Sequence, residues 1–204
     1  DPRNPTYEGD KLLFDSALDG QTSRDNVLKG WVNGTWNPSL VNNTDWTDYV
    51  TQTSFSHEHT VSASGGTEQI NAYGSFGYLN NKGTQKGQWY DRYTAKISVN
   101  IKPVKWFTLN ASMNTTWSEQ DYGMSTLGAT SSKVADAIYG AAKSIYNMAI
   151  PYDADGKLII NPGGESGMYN IIGEWNKSTQ LSQTMRALAN FSATLDLGEM
   201  WKPL

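Results

Sequence analysis

The chain has 204 residues, of which 38% are hydrophobic and 18% charged, with a net charge of −4. That balance excludes the strongly basic surface of a nucleic-acid binder, and the absence of cysteine excludes a disulfide framework, a thiolate metal site and a Cys nucleophile. No run of about 18 apolar residues occurs, which excludes a transmembrane helix but not a transmembrane β-strand, for which about 9 to 11 alternating residues suffice.

The opening residues, DPRNPTYEGD, have neither a basic nor an apolar leader region, so a secretory signal is expected to have been removed or to lie upstream. Residues 1–56 are polar, with turn-forming pairs at Asn4-Pro5, Asn33-Gly34 and Asn37-Pro38. They read as a loop-rich segment with one short helix near Asn26–Val32, capped by Ser23 or Asp25.

From His59 the pattern has a period of two. HTVSASGG alternates weakly and leads into a Gly-containing turn at 65–69. INAYGSFGY then places Ile70, Ala72, Gly74, Phe76 and Tyr78 on one face. A polar connection over 80–90 precedes RYTAKISVNI, where Tyr93, Ala95, Ile97, Val99 and Ile101 alternate with Arg92, Thr94, Lys96, Ser98 and Asn100. Pro103 suits a turn at 102–105 better than a strand interior. Next come Phe107, Leu109, Ala111, Met113, Thr115 and Trp117, against Thr108, Asn110, Ser112, Asn114 and Thr116. RALANFSATLDL, near the end of the sequence, repeats the period, so five such strands are expected.

Between these strands lies a long insertion, 119–181. Val134, Ile138, Ala141, Ile145 and Met148 recur at helical spacing, predicting a helix over about 132–149, followed by a turn and short hairpin at PYDADGKLIINPGG. The division is therefore 1–56, strands over 57–118, the insertion at 119–181, and a further strand and turn over 182–204. Connections alternate between short and long, as in a meander of antiparallel strands through a membrane, with short turns on one side and long loops on the other. Trp106, Phe107, Trp117, Tyr78, Tyr90, Tyr93 and Trp201 fall near strand ends, where rings bridge dry and wet surroundings. A half-buried sheet in a soluble protein has the same period, so a secreted β-rich glycan-binding module is the alternative.

NNTDWTDYV (42–50), HTVSASGGTEQINAYGSFGYLNNKGTQKG (59–87) and YDRYTAKISVNIKPVKWFTLNASMN (90–114) resemble SusC/RagA-type TonB-dependent outer-membrane transporters. The resemblance rests on Asn43 to Trp46, on His59 with Gly65 and Gly66, on Tyr73 to Tyr78, on Gly83, and on Arg92 with Tyr93; Pro151 to Gly156 resembles a loop element of the same family. It implies an all-β fold: an antiparallel transmembrane segment of a barrel of about 22 strands, with a long extracellular loop containing a short helix. It also implies location in the bacterial outer membrane, in contact with lipid, and import of oligosaccharides or oligopeptides. The implied partners are a SusD-like surface lipoprotein and, through a part of the protein absent here, the TonB complex. No cofactor and no enzyme activity are implied.

In such a barrel Arg92, Thr94, Lys96, Ser98, Asn100, Thr108, Asn110, Ser112 and Asn114 face the lumen. Trp89, Tyr90, Tyr122 and Trp175 are the candidate substrate-binding residues at the outer mouth, because recognition there needs aromatic platforms. Other patterns are less specific. His57 and His59 are spaced to share one strand face, but no third metal ligand accompanies them. DADG at 153–156 opens like a calcium loop, yet Gly164 stands where an EF-hand has its Glu, so it reads as a turn. NPGGESG at 161–167 lacks the context of a phosphate loop. Asp45 with Asp48, or Asp153 with Asp155, do not make a glycosidase. The sequons at Asn110, Asn114 and Asn190 lie on strand faces and read as lumen polarity.

Overall fold

A computed structural model describes residues 5–12, 20–123, 137–163, 169–175, 177 and 179–201. The chain divides into two compact units, one formed by 1–53, 84–88 and 122–180, the other by 54–83, 89–121 and 181–204.

In chain order the elements are α1 (Tyr7–Leu12), α2 (Gly20–Leu28), the hairpin strands β1 (Trp31–Val32) and β2 (Thr35–Trp36), a 3-10 turn (Pro38–Leu40), α3 (Trp46–Val50), β3 (Ser56–Gly66), β4 (Ile70–Lys82), β5 (Gln88–Val104), β6 (Phe107–Tyr122), α4 (Ala137–Ser144), α5 (Ile171–Glu174), β7 (Leu181–Leu195) and α6 (Leu197–Met200). The β1–β2 turn is made by Asn33 and Gly34, both at positive φ, 51° and 77°. A two-residue hairpin requires that conformation, and Asn-Gly supplies it with the least strain.

The second unit is an antiparallel meander in the order β3-β4-β5-β6-β7. Among the described residues the sheet stays open, with β3 and β7 at its edges, and no helix is long and apolar enough to cross a membrane. The pairing keeps each face consistent: Val61 lies opposite Phe76 and Phe76 opposite Ala95, while Leu109 lies opposite Ala193 and Ala111 opposite Phe191. A slip of one residue on any strand would send its apolar set to the wrong face.

The strands run further than the sequence pattern suggested. The polar connection expected over 80–90 shrinks to 83–87, because Asn80, Asn81 and Lys82 continue the ladder opposite Asp91, Tyr90 and Trp89. Backbone pairing tolerates polar side chains, so the ladder outlasts the hydrophobic alternation. Pro103 also lies inside β5 and not in a turn. It is the penultimate residue, beyond Ile101, where the ladder with β4 has ended. At the far end β7 stops at Leu195 and one helical turn follows, so Leu197 does not continue the strand.

In the first unit the short helix expected near Asn26–Val32 lies earlier, at Gly20–Leu28 with Ser23 and Asp25 inside it, and Trp31–Val32 forms a strand; the segment read as loop-rich also supplies core. Val27, Trp46 and Val50 from that segment share a buried cluster with Ile138, Ala141, Ala142, Ile145, Ala149 and Ile171. Much of the cohesion is polar. Asn26, fully buried, donates to the carbonyls of Asn42 and Met148 at 2.9 Å each and accepts from the Asn42 N–H at 2.9 Å. Ser23 accepts from Ile150 N–H and donates to the Pro162 carbonyl, and Asn170 does equivalent work for Pro151, Ile159 and Ile172. Each amide side chain satisfies backbone groups of non-repetitive chain that would otherwise be buried without partners. The helix expected at 132–149 is described only as Ala137–Ser144; residues 132–136 lie outside the described residues, and 145–149 have already left the helix.

Candidate functional site

The sheet unit has two chemically distinct faces. On the first, Ala95, Ile97, Val99 and Ile101 of β5 continue the faces of β3 and β4, and β6 and β7 contribute Leu109, Ala111, Met113, Ala189, Phe191, Ala193 and Leu195. No charged residue interrupts this band, and it is uncovered: Phe191 is 79% exposed, Val61 73% and Met185 72%.

An aromatic row bounds the band at the end remote from the short turns. His57 and Tyr78 have ring centroids 5.8 Å apart, Tyr78 and Tyr93 4.8 Å, and Tyr93 and Trp117 5.3 Å, so rings run unbroken across β3, β4, β5 and β6. One step beyond, the same face turns polar. Asn80 lies opposite Asp91 and donates to its carboxylate at 2.6 Å, while Gln183 lies opposite Glu119 and donates to it at 2.8 Å. From this row to the other end the apolar stretch covers Ile70–Tyr78 on β4, Tyr93–Ile101 on β5, Phe107–Trp117 on β6 and Met185–Leu195 on β7.

The opposite face carries all nine residues expected there: Arg92, Thr94, Lys96, Ser98 and Asn100 from β5, and Thr108, Asn110, Ser112 and Asn114 from β6. It is concave. A hollow of about 710 Å³ is lined by Ser64, Asn71, Tyr73, Ser98, Asn100, Asn110, Ser112, Asn190 and Ser192, together with Gly65, Gly66, Ala72, Val99, Ala111 and Phe191. Asn100 donates to Asn110, which donates to Ser192 Oγ at 3.3 Å, a side-chain chain across β5, β6 and β7. Arg92 pairs with Glu58 at 3.3 Å and Lys96 sits 5.8 Å from the Tyr73 ring centroid, so three of the face's charges are matched within it. Leu188, opposite Asn114, is an apolar exception on this face.

The four aromatic candidates fall into two pairs. Trp89 and Tyr90 are consecutive on β5, opposite Lys82 and Asn81, so they point to opposite faces. Tyr90 lies near the start of β5 on the face of Arg92, and not in the aromatic row with Tyr93. Tyr122 and Trp175 belong to the other unit. Gln88 donates to the Tyr122 carbonyl at 3.1 Å, and Trp175 packs on the buried cluster with Lys86 Nζ 5.8 Å from its ring. Gly87, at φ 84°, lies against both segments: a methyl there would meet Gly123 at 3.7 Å and Trp175 at 3.8 Å.

The NTDW segment has a local task that its motif alone did not reveal. Asp45 caps α3, accepting from Thr47 N–H at 2.9 Å and Thr47 Oγ1 at 2.6 Å, and these bonds hold its carboxyl below the usual value. Trp46 is buried and donates its indole N–H to the Tyr146 carbonyl at 3.0 Å. Asp153 likewise closes a turn, accepting from Asp155 and Lys157 N–H while Tyr152 bridges Leu158. Among the described residues no group of three or more His, Asp or Glu is placed to hold a metal.

No protein-family model and no curated protein matches the chain. Solved structures do. One described as the RagAB peptide transporter superposes with a TM-score of 0.61 at 18% identity, over 94% of this chain and 22% of its own. Another, the RagAB peptide importer in a closed-closed state, gives a TM-score of 0.54 at 18% identity over 76% and 17%. The likeness is one of fold, and the chain spans about a fifth of the length of these structures.

Proposed function

We propose that this chain is a wall segment and outer loop of a SusC/RagA-type TonB-dependent outer-membrane transporter, which imports oligosaccharides or oligopeptides together with a SusD-like surface lipoprotein. The observation that carries the reading is the apolar band: nine to eleven residues tall on four strands, free of charge, closed by an aromatic row and then a polar one. A strand that crosses a bilayer needs about 9 to 11 residues at a tilt near 45°, and outer-membrane barrels bear an apolar band of about 25 Å between aromatic girdles. In water the same surface would be a contiguous exposed apolar patch of the kind soluble monomers avoid, which weighs against the secreted glycan-binding module. The concave polar face then lines a watery passage, with the Asn and Ser side chains and the matched Arg92 and Lys96 in its wall.

The motif resemblance over 42–114 and the fold likeness to RagAB structures support the family reading. The latter are described as peptide transporters, which favours an oligopeptide as cargo. Trp89, Tyr90, Tyr122 and Trp175 are proposed contacts for it. The edges of β3 and β7 need further strands of the same protein, since unpaired backbone groups in lipid cost several kcal/mol each. Cell fractionation tests the assignment: the protein is expected in the outer-membrane fraction, extracted only by detergent and co-purifying with a surface lipoprotein, whereas a folded, detergent-free soluble form would contradict it.

A further inference from the structure

The strand period sorts the charges of the sheet as it sorts the apolar residues. On β3 to β7 every acid but Glu58 falls on the apolar side, beyond the aromatic row: Asp91 on β5, and Glu119 and Asp121 on β6. Arg92, Lys96 and Lys102 of β5 and Arg186 of β7 fall on the polar side, and Lys82 is the one strand cation on the other. Four cations and one acid therefore share the polar face, in a chain whose net charge is −4.

Three of these cations surround one spot next to the level of the aromatic row. Tyr93 stacks on Trp117 and Asn100 donates to Asn110, which aligns β5 with β6 so that Thr94 stands beside Thr116. Thr116 in turn lies opposite Arg186. Arg92 and Lys96 flank Thr94 on the same face of β5, and Arg186 stands two strands away at the level of Thr94, about 10 Å at the backbone by strand spacing. On its other side Thr94 lies opposite Gly77, where a Cβ would come within 2.6 Å of Thr94 Oγ1 and 3.4 Å of Thr60 Oγ1. Short side chains thus form a floor between three long cationic ones.

The face does not neutralise itself. Glu58 offsets Arg92 alone, through one contact at 3.3 Å between side chains that are 56% and 37% exposed, and exposed pairs of this kind hold weakly. The Tyr73 ring beside Lys96 leaves the ammonium charge in place. Among the described residues neither Lys96 nor Arg186 has a carboxylate partner, and both are exposed.

We infer that this spot is a carboxylate-binding station in the polar wall, and that the cargo it favours is an acidic oligopeptide, drawn by Arg92, Lys96 and Arg186. A cleft lined by charge of one sign raises the local concentration of the other, and the guanidinium fork matches a carboxylate in shape as well as charge. The inference rests on the transport reading with a peptide as cargo, because it needs the polar face to meet water and a peptide to pass along it.

The test is equilibrium dialysis of the intact, detergent-purified protein against octapeptides that share a Gly/Ser framework and differ only in carrying Glu, Gln or Lys. All are acetylated with a radiolabelled acetyl group and amidated, so that side chains alone set their charge. The Glu peptide is expected to bind about tenfold more tightly than the Gln peptide at low salt, with the gap closing near 1 M salt, where the screening length is about 3 Å. Lys96→Gln/Arg186→Gln is expected to lose most of the gap, and Lys96→Glu/Arg186→Glu to reverse it in favour of the Lys peptide. The affinity ratio within one variant does not depend on how much of it folds. Equal binding of the Glu and Gln peptides by the wild type, or a preference for Glu that survives charge reversal, would overturn the inference. Binding of the Gln peptide reports on the transport reading separately: if it binds and Glu gives no advantage, only this inference falls, and if no peptide binds, peptide transport falls with it.

Discussion

Tyr93 and Trp117 stack across β5 and β6 with ring centroids 5.3 Å apart and planes inclined at 36°. The pair closes the aromatic row at the level where the apolar face ends. Aromatic pairs contribute about 0.5–1.5 kcal/mol beyond the area they bury. Trp117→Ala is therefore expected to lower the unfolding midpoint in urea, measured on the transport reading in lipid vesicles, with Trp117→Phe recovering most of the loss. Equal midpoints for Ala and wild type would show that the row is ornamental.

Ile97 lies at mid-height of the apolar band, between Ala95 and Val99 on the same face of β5. On the transport reading Ile97→Arg places a charge near the bilayer midplane, at about 2–4 kcal/mol, while the neighbouring Ser98→Arg enters water. Assembly into vesicles, read by heat-modifiable migration on gels, is expected to fall for the first variant and hold for the second. Two variants that assemble alike would count against a lipid-facing band.

Asn26 makes three hydrogen bonds to backbone groups from residues 42 and 148. Asn26→Ala leaves buried donors and acceptors unpaired, at about 1–3 kcal/mol each. Amide exchange over 137–163 is expected to accelerate strongly, although the mutation is more than a hundred residues away in sequence, while exchange over β4 to β6 stays slow. Unchanged protection at 137–163 would contradict this account of the first unit.

Asp45 gives a dependence on acidity. Its carboxyl is held below the usual value by Thr47, so its capping contribution to the fold is present above the unfolded carboxylate value and is lost as pH falls through the lowered folded value. Faster exchange of the α3 amides is expected only at that acidic end, and Asp45→Asn, which keeps an acceptor at the cap, is expected to flatten the response.

The five long strands were legible because their chemistry alternates with the backbone's own period: Ile97 and Ser98 announce opposite faces without reference to anything distant. Strand ends were less so, since Asn80, Asn81 and Lys82 extend the ladder with polar side chains that break the apolar alternation. The first unit was not legible as a unit. Its core joins Trp46 to Tyr146 and Asn26 to Met148, contacts that no local pattern encodes, and it is built as much on buried amides as on apolar side chains. Buried Asn and Ser in such a segment look like loop composition until their partners are seen. The aromatic candidates show the same limit, for Trp175 reads as a recognition platform in sequence but also serves as packing for the core.

The central claim is that the two faces of this sheet meet two solvents. Single cysteines at Ala95 and Ala111 on one face, and at Ser98 and Ser112 on the other, would be probed in native outer-membrane vesicles, which is straightforward because the chain has no cysteine of its own. The account predicts that the first two resist a membrane-impermeant maleimide and, when spin-labelled, relax with lipid-dissolved oxygen, while the second two relax with a water-soluble nickel chelate. Ready modification of Ala95→Cys or Ala111→Cys by the water-soluble reagent would contradict it.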